Sequence, residues 1–207
     1  MSLSAVDIRE LYEKSIPMTH GVATIDGPDG PCERSLDKSI RHSRQVPSNL
    51  VNRPRVDLSQ IIEEFEVRYD IKVKTQFNKM IIYGENGHFK KHCDSATTPF
   101  GTPRHAVLSL YLTVGYCGGD LKVYGDHITK PIENGLYKAT IIPVGVEHEI
   151  EPVTHGYRVV WIYDLKDMKE TLKNMRVATY QTYESRERQT LTNEKNFRRG
   201  SDKILYD

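Results

Sequence analysis

The chain has 207 residues, with 29 Lys and Arg against 28 Asp and Glu and a formal net charge of +1. That length suits one domain with a proper core, and so even a charge balance offers no electrostatic coat for nucleic acid. No apolar run reaches the roughly 18 residues a membrane span needs, and the hydrophobic residues (38%) are clustered as in a folded protein.

The N-terminus, MSLSAVDIRELYEK, carries acids and has no apolar h-region, so it does not read as a signal peptide. The three cysteines, Cys32, Cys93 and Cys117, are few and odd in number and have no C-x-x-C spacing. They read as reduced thiols of a cytoplasmic or nuclear protein.

In chain order, residues 3–14 predict a helix with Ile8, Leu11 and Tyr12 as its apolar stripe. Ser4 is its expected cap, Leu3 staples to Ile8, and Pro17 ends it. From Gly21 to Pro54 turn chemistry and mildly basic polar sequence predict loop with short pieces of strand. DLSQIIEEFEVRY is a stronger helix: Leu58, Ile61, Ile62, Phe65 and Tyr69 keep helical spacing, and Asp57 is placed to cap it. From Ile71 to Leu165, short runs rich in Val, Ile, Tyr and Leu alternate with Gly, Pro, Asn and Asp. Such spacing predicts a sandwich or barrel, and the lack of an intervening helix counts against a βαβ sheet. Beyond Leu165 the chain turns polar. KDMKETLKNM predicts a helix, and the remainder reads as an arm packed on the domain or on a neighbouring chain.

Within GHFKKHCDS, a strand would place His92 and Asp94 on one face and Lys91 and Cys93 on the other. An imidazole and a carboxylate on adjacent same-face positions chelate an ion if a third ligand arrives. His148, in VGVEHEIEPV, shares a face with Val146 and Ile150 and so points inward. It is either a structural His bonded to a carbonyl or that third ligand. Two His and one carboxylate on one face of an octahedron leave three positions open, which suits non-haem Fe(II); a structural zinc site would use thiolates and close its shell. The segment Pro152–Gly156 reads as a turn that folds the strand carrying Arg158 back along the strand carrying His148. Arg158 is either a surface residue at a strand end or a buried fork awaiting a carboxylate.

The ordered set of His-x-Asp, a distal His more than fifty residues on, and an Arg ten beyond that resembles the Fe(II)/2-oxoglutarate-dependent dioxygenases, the prolyl 4-hydroxylase-like branch in particular. YGENGHFKKHCDS, YLTVGYCGGDLKVY and VGVEHEIEPVTHGYRVVWIYDL are similar to three blocks of that branch, over about Phe77 to Leu165. A weaker likeness, to a group common in fungi, extends upstream through TIDGPDGPCERSLDKSIRHS.

The resemblance implies a mainly β fold, a double-stranded β-helix (jelly roll) with flanking helices packed on the larger sheet. The implied organisation is one domain: residues 1–56 a helix and loop region, 57–165 the brace helix and the double-stranded β-helix core, and 166–207 a C-terminal arm. By the same resemblance His92, Asp94 and His148 are Fe(II) ligands, and Arg158 binds the distal carboxylate of 2-oxoglutarate. Tyr83 and Tyr111 stand where cosubstrate-contacting tyrosines stand. The implied cofactors are Fe(II), the cosubstrate 2-oxoglutarate and O2, with ascorbate as an optional addition. The presence of Asp94 favours hydroxylation, since halogenating relatives lack this carboxylate.

Other residues are set aside. His88, His105 and His155 sit beside turns as solvated side chains, Glu147 and Glu149 face outward, and Gly118–Gly119 match no phosphate loop. The implied substrate is a prolyl or other side chain of a protein or peptide, with specificity in loops 95–104 and before Val56. A small-molecule or nucleic-acid oxygenase and a catalytically silent jelly-roll module are the competing readings. YRVVWIYDL has no second Arg of the AlkB kind, which counts against nucleic acid. Oligomeric state is not legible.

Overall fold

The computed structural model describes residues 5–22, 33–97 and 103–168. The greater part of the expected helix over KDMKETLKNM, the arm beyond it, the cap Ser4, the Leu3 staple, Cys32 and residues 98–102 of the loop 95–104 lie outside these residues; Lys166 and Asp167, expected in that helix, instead end the last strand.

The elements are α1 (Ala5–Lys14), β1 (Ile16–Pro17), β2 (His20–Val22), β3 (Glu33–Ser35), β4 (Arg41–His42), β5 (Arg44–Gln45), α2 (Ser59–Tyr69), β6 (Val73–Tyr83) and β7 (His88–His92). They continue with β8 (Ala106–Leu112), β9 (Tyr116–Gly118), β10 (Leu121–Val123), β11 (Ile128–Ile132), β12 (Tyr137–Pro143), β13 (His148–Ile150), β14 (Val153–Gly156) and β15 (Arg158–Asp167). A seven-stranded sheet has the order β1-β5-β6-β15-β8-β12-β11, and a four-stranded sheet has the order β10-β13-β7-β4. The small pairs β14-β9 and β2-β3 complete the strands. All pairings are antiparallel, and strands adjacent in space come from distant parts of the chain. This is the expected jelly roll, a large sheet facing a small one.

The central strands of the large sheet are apolar on both phases, so both faces are buried. Met80 and Ile82 of β6, Leu108 and Leu110 of β8, and Val159 and Trp161 of β15 point to one side and form the main core with Ile61 and Phe65 of α2. Ile81 and Tyr83, Tyr111, and Val160 point the other way, toward Ile150 and Phe89 of the small sheet. α2 lies on β11 and β12 and braces the sheet as expected. Trp161 also donates from Nε1 to the Asn52 carbonyl at 2.8 Å, tying the segment before α2 to the core.

Several local expectations shift. α1 ends at Lys14, three residues before Pro17, where Ser15 Oγ donates to the Tyr12 carbonyl and satisfies one orphan acceptor. α2 starts at Ser59 with Leu58 at the cap position. Asp57 accepts from the Ser59 amide at 2.9 Å, one residue earlier than a regular cap. The larger correction concerns Pro152–Gly156. Val153–Gly156 is a strand paired with β9, and the chain then crosses between sheets. Arg158 therefore does not run back beside His148. β15 pairs with β6 and β8 in the large sheet, and β13 with β7 and β10 in the small one. Among the described residues no helix is long and apolar enough to cross a membrane.

Phe65 is buried at 1% exposure while Val67, two residues on, is 83% exposed. Phe65→Ala therefore costs about 3–5 kcal/mol, whereas Val67→Ala stays within about 0.5 kcal/mol of wild type. Urea denaturation midpoints measure both; equal midpoints would mean that α2 does not brace the sheet.

Candidate active site

β7 ends at His92, so Asp94 lies beyond the strand rather than on its face. The two residues converge all the same. His92 is the cross-strand partner of His148, and their rings stand 4.3 Å apart, centroid to centroid. Asp94 curls back so that its Oδ2 sits 3.6 Å from His148 Nε2. One ligand atom from each of His92, Asp94 and His148 falls within 4.8 Å of the others.

The hydrogen bonds fix which atoms are offered. His92 Nδ1 faces the Lys90 carbonyl at 2.7 Å, and His148 Nδ1 faces the Val146 carbonyl at 3.0 Å. A carbonyl only accepts, so each Nδ1 carries the proton and donates, leaving the Nε2 lone pair for a ligand. Burial, reinforced by the neighbouring His148, pushes the His92 imidazole down to about 4, so it stays neutral at pH 7. Two imidazole Nε2 atoms and a carboxylate fit a divalent ion with open positions. The donor set fits iron, and His148 does both things weighed for it: it bonds a carbonyl through one nitrogen and presents the other.

Asp94 is steadied by Arg104, a residue the sequence reading did not single out. Its Nη2 lies 3.7 Å from Asp94 Oδ1 while its Nη1 donates to buried Asp164 at 2.7 Å. Asp164 also accepts twice from Asn78, the extra residue of a bulge in β6, at 2.9 and 3.1 Å.

Arg158 is the residue moved furthest from expectation in topology and least in place. It opens β15 opposite Tyr83, and Tyr111 pairs with Val160 two residues on. The register thus gathers all three on the inner face. The guanidinium is 1% exposed and lies 4.4 Å from the Tyr111 ring centroid and 5.8 Å from that of Tyr83. Among the described residues no carboxylate pairs with it, and its buried Nε has no hydrogen-bond partner. A buried cation so placed calls for an anion from outside the chain. Gly118 and Gly119 bring the neighbouring backbone close. A Cβ on Gly118 would sit 2.6 Å from the Pro152 carbonyl oxygen, one on Gly119 would sit 3.1 Å from Arg158 Cδ, and both residues have positive φ.

One cavity between the sheets is lined by His92, Asp94, His148, Tyr83 and Arg158, together with Arg41, Lys79 and Arg104. The residues set aside stay outside it. Cys93 is exposed and bonds the Gly145 carbonyl, Glu147 pairs with Lys91, and His155 faces Glu85 from a strand rather than a turn. His88 is half-buried between the Asn86 and Ser39 carbonyls rather than solvated. Lys79 shares an inward phase with Ile81 and Tyr83; a charge on the apolar phase of a strand was the signal that would have found it. Burial, and then Arg41, pushes its ammonium down to about 8.

Residues 75–163 match the model of the 2OG-Fe(II) oxygenase superfamily. The match spans the first two motif blocks, the third up to Tyr163, and all four of His92, Asp94, His148 and Arg158. The structure is similar to a Pseudomonas putida prolyl-4-hydroxylase, with TM-score 0.44 and 13% identity over 79% of this chain and 83% of that one. It is also similar to a Burkholderia pseudomallei oxidoreductase of the 2OG-Fe(II) oxygenase family, with TM-score 0.40 and 14% identity over 78% of this chain and 77% of that one. A viral collagen prolyl hydroxylase from Paramecium bursaria Chlorella virus-1 gives TM-score 0.38 and 16% identity over 61% of this chain and 79% of that one. A comparison of the sequence with curated proteins finds no match.

The Lys79 value has a consequence for stability. Below about 8 the ammonium is charged in folded and unfolded chains alike and bears its full burial cost. Between about 8 and 10.5 only the folded form is neutral, so the cost shrinks, and above 10.5 it is gone. Lys79→Met therefore gains roughly 1–3 kcal/mol over wild type at pH 7, and the charge-dependent part of that gain vanishes toward pH 10.5. Denaturation midpoints at both pH values test this; a gain independent of pH would contradict it.

Proposed function

We propose that this chain is an Fe(II)- and 2-oxoglutarate-dependent oxygenase that hydroxylates an unactivated C–H bond, on a prolyl side chain of a protein or peptide. The reading rests on one observation above the others. Three ligand atoms converge at one end of a cavity whose other wall holds a buried guanidinium with no carboxylate partner among the described residues. The superfamily match over residues 75–163 supports the oxygenase class. The prolyl substrate rests on the branch likeness of the motifs.

Fe(II) with 2-oxoglutarate and O2 supplies insertion of one oxygen atom into a C–H bond, with release of succinate and CO2. The chain's own residues bind and aim. His92, Asp94 and His148 hold the ion and leave its cavity side open. Arg158 takes the distal carboxylate of 2-oxoglutarate through its planar fork, with the Tyr83 and Tyr111 rings packed beside it. The apolar walls, Ile81, Val160 and Ile150 among them, keep bulk water from the reacting centre. Arg104 is a positioning residue that orients Asp94 without touching substrate.

Incubation with Fe(II) and 2-oxoglutarate yields succinate, and candidate peptides gain one oxygen by mass spectrometry. Asp94→Ala abolishes succinate formation. Arg158→Met raises the apparent KM for 2-oxoglutarate at least about 30-fold, since it removes one partner of a buried charge pair. Arg104→Met weakens Mn(II) binding roughly 10–100-fold, read by calorimetry without turnover. A wild-type protein that forms no succinate, even uncoupled from substrate, would instead favour a silent jelly-roll module.

A further inference from the structure

Lys79 sits on the inner face of the large sheet, opposite Ile162 of β15, while Tyr83 on the same strand stands opposite Arg158. Four residues of β6, about 13 Å of strand, separate Lys79 from Tyr83 and so from the register position of Arg158. Arg158 and Lys79 thus occupy opposite ends of one chamber, and both line it together with the His–Asp–His cluster.

The two ends differ in what they have to bind. Under the reading above, Arg158 is matched by the distal carboxylate of the cosubstrate. Lys79 has no such match. No hydrogen bond or ion pair among the described residues involves its ammonium, although Asp94 and Asp164 lie within electrostatic range. Both acids are already engaged, Asp164 by Arg104 and Asn78, and Asp94 by Arg104 and the metal position. Arg41, on the facing small sheet, is in the same condition. It lies over the Phe89 ring at 4.2 Å, and among the described residues its guanidinium donates only to Ser43 Oγ and Met18 Sδ. Lys79 and Arg41 therefore both line the chamber with no carboxylate bonded to either among the described residues. A lysine held there at a cost to stability, on a phase otherwise apolar, is retained for something that binds.

We infer that Lys79, with Arg41 behind it, forms an anion subsite for the primary substrate, so that the molecule hydroxylated here carries a carboxylate close to the target C–H bond. The inference rests on the oxygenase reading and deepens it. A carboxylate docked on Lys79 anchors one end of the substrate and orients the target carbon toward the ion, as Arg158 anchors the cosubstrate from the other end. The carboxylate comes either from an acidic side chain beside a target proline in a peptide or from the α-carboxylate of a small free acid.

Two matched pairs of probes distinguish these sources: blocked peptides containing Pro-Glu or Pro-Gln, and free L-proline against L-prolinamide. Binding is measured by calorimetry on the full chain loaded with Mn(II) and 2-oxoglutarate, which fills the site without turnover. In at least one pair the acid binds wild-type protein about tenfold more tightly than the amide, and the responding pair names the source. Lys79→Met reduces that preference to below about twofold, and Lys79→Arg keeps most of it. No acid–amide difference in either pair, whether both members bind or neither does, overturns the inference, as does a preference that survives in Lys79→Met. Failure of wild-type protein to bind Mn(II) or 2-oxoglutarate in a separate titration without probe instead defeats the oxygenase reading, and this inference with it.

Discussion

Burial of the large sheet on both faces is the constraint from which the rest of the molecule follows. β6, β8 and β15 are wedged between α2 and the small sheet, so the residues of their central stretches commit to one of two interiors. Met80, Ile82, Leu108, Leu110 and Trp161 commit to the helix side, and this core holds the sheet rigid. Ile81, Tyr83, Arg158 and Val160 commit to the other side and become the wall of a chamber, with Tyr111 packed behind Arg158. A shift of register by one residue would exchange the two sets, bringing Trp161 into the chamber in place of Val160 or Ile162 and turning Arg158 out of it. The apolar packing of one face is thus what aims the polar residues of the other.

The chamber brings together groups that would be costly if separate. A guanidinium with 1% exposure, an ammonium pushed down to about 8 and an imidazole pushed down to about 4 all owe their condition to burial. None is fully compensated by the described residues. Asp164, Arg104 and Asn78 form the counterexample in the same region, a buried polar group whose members satisfy one another. The contrast separates scaffold from site: the network that closes on itself positions Asp94, and the groups left open face the space where small molecules are proposed to bind.

Much of this was legible in the residue order. The apolar stripe of α2, the short strands, and the inward phase of His148 all follow from periodicities of 3.6 and 2, and these reflect local sterics that hold wherever the chain is buried. The spacing of His92, Asp94, His148 and Arg158 carried the family likeness, because a metal cluster assembled on two neighbouring strands needs its ligands at such intervals. Lys79 was legible in principle as a charge on an apolar phase. Arg104 was not, since a lone Arg before a strand looks the same whether it is solvated or locked to an aspartate sixty residues away.

Local chemistry along the chain was enough for the face each strand buries and the mainly β architecture, because those arise from neighbours in sequence; the grouping of His92, Asp94 and His148 was read from the family likeness. The partnering of strands was not. Pro152–Gly156 reads as a turn, yet Val153–Gly156 is a strand paired with β9, after which the chain enters the large sheet, so Arg158 confronts the His92, Asp94 and His148 cluster across a cavity instead of lying beside it. Which strand lies next to which is set by the packing of two sheets and a helix at once, a long-range competition for burial that no window of residues contains.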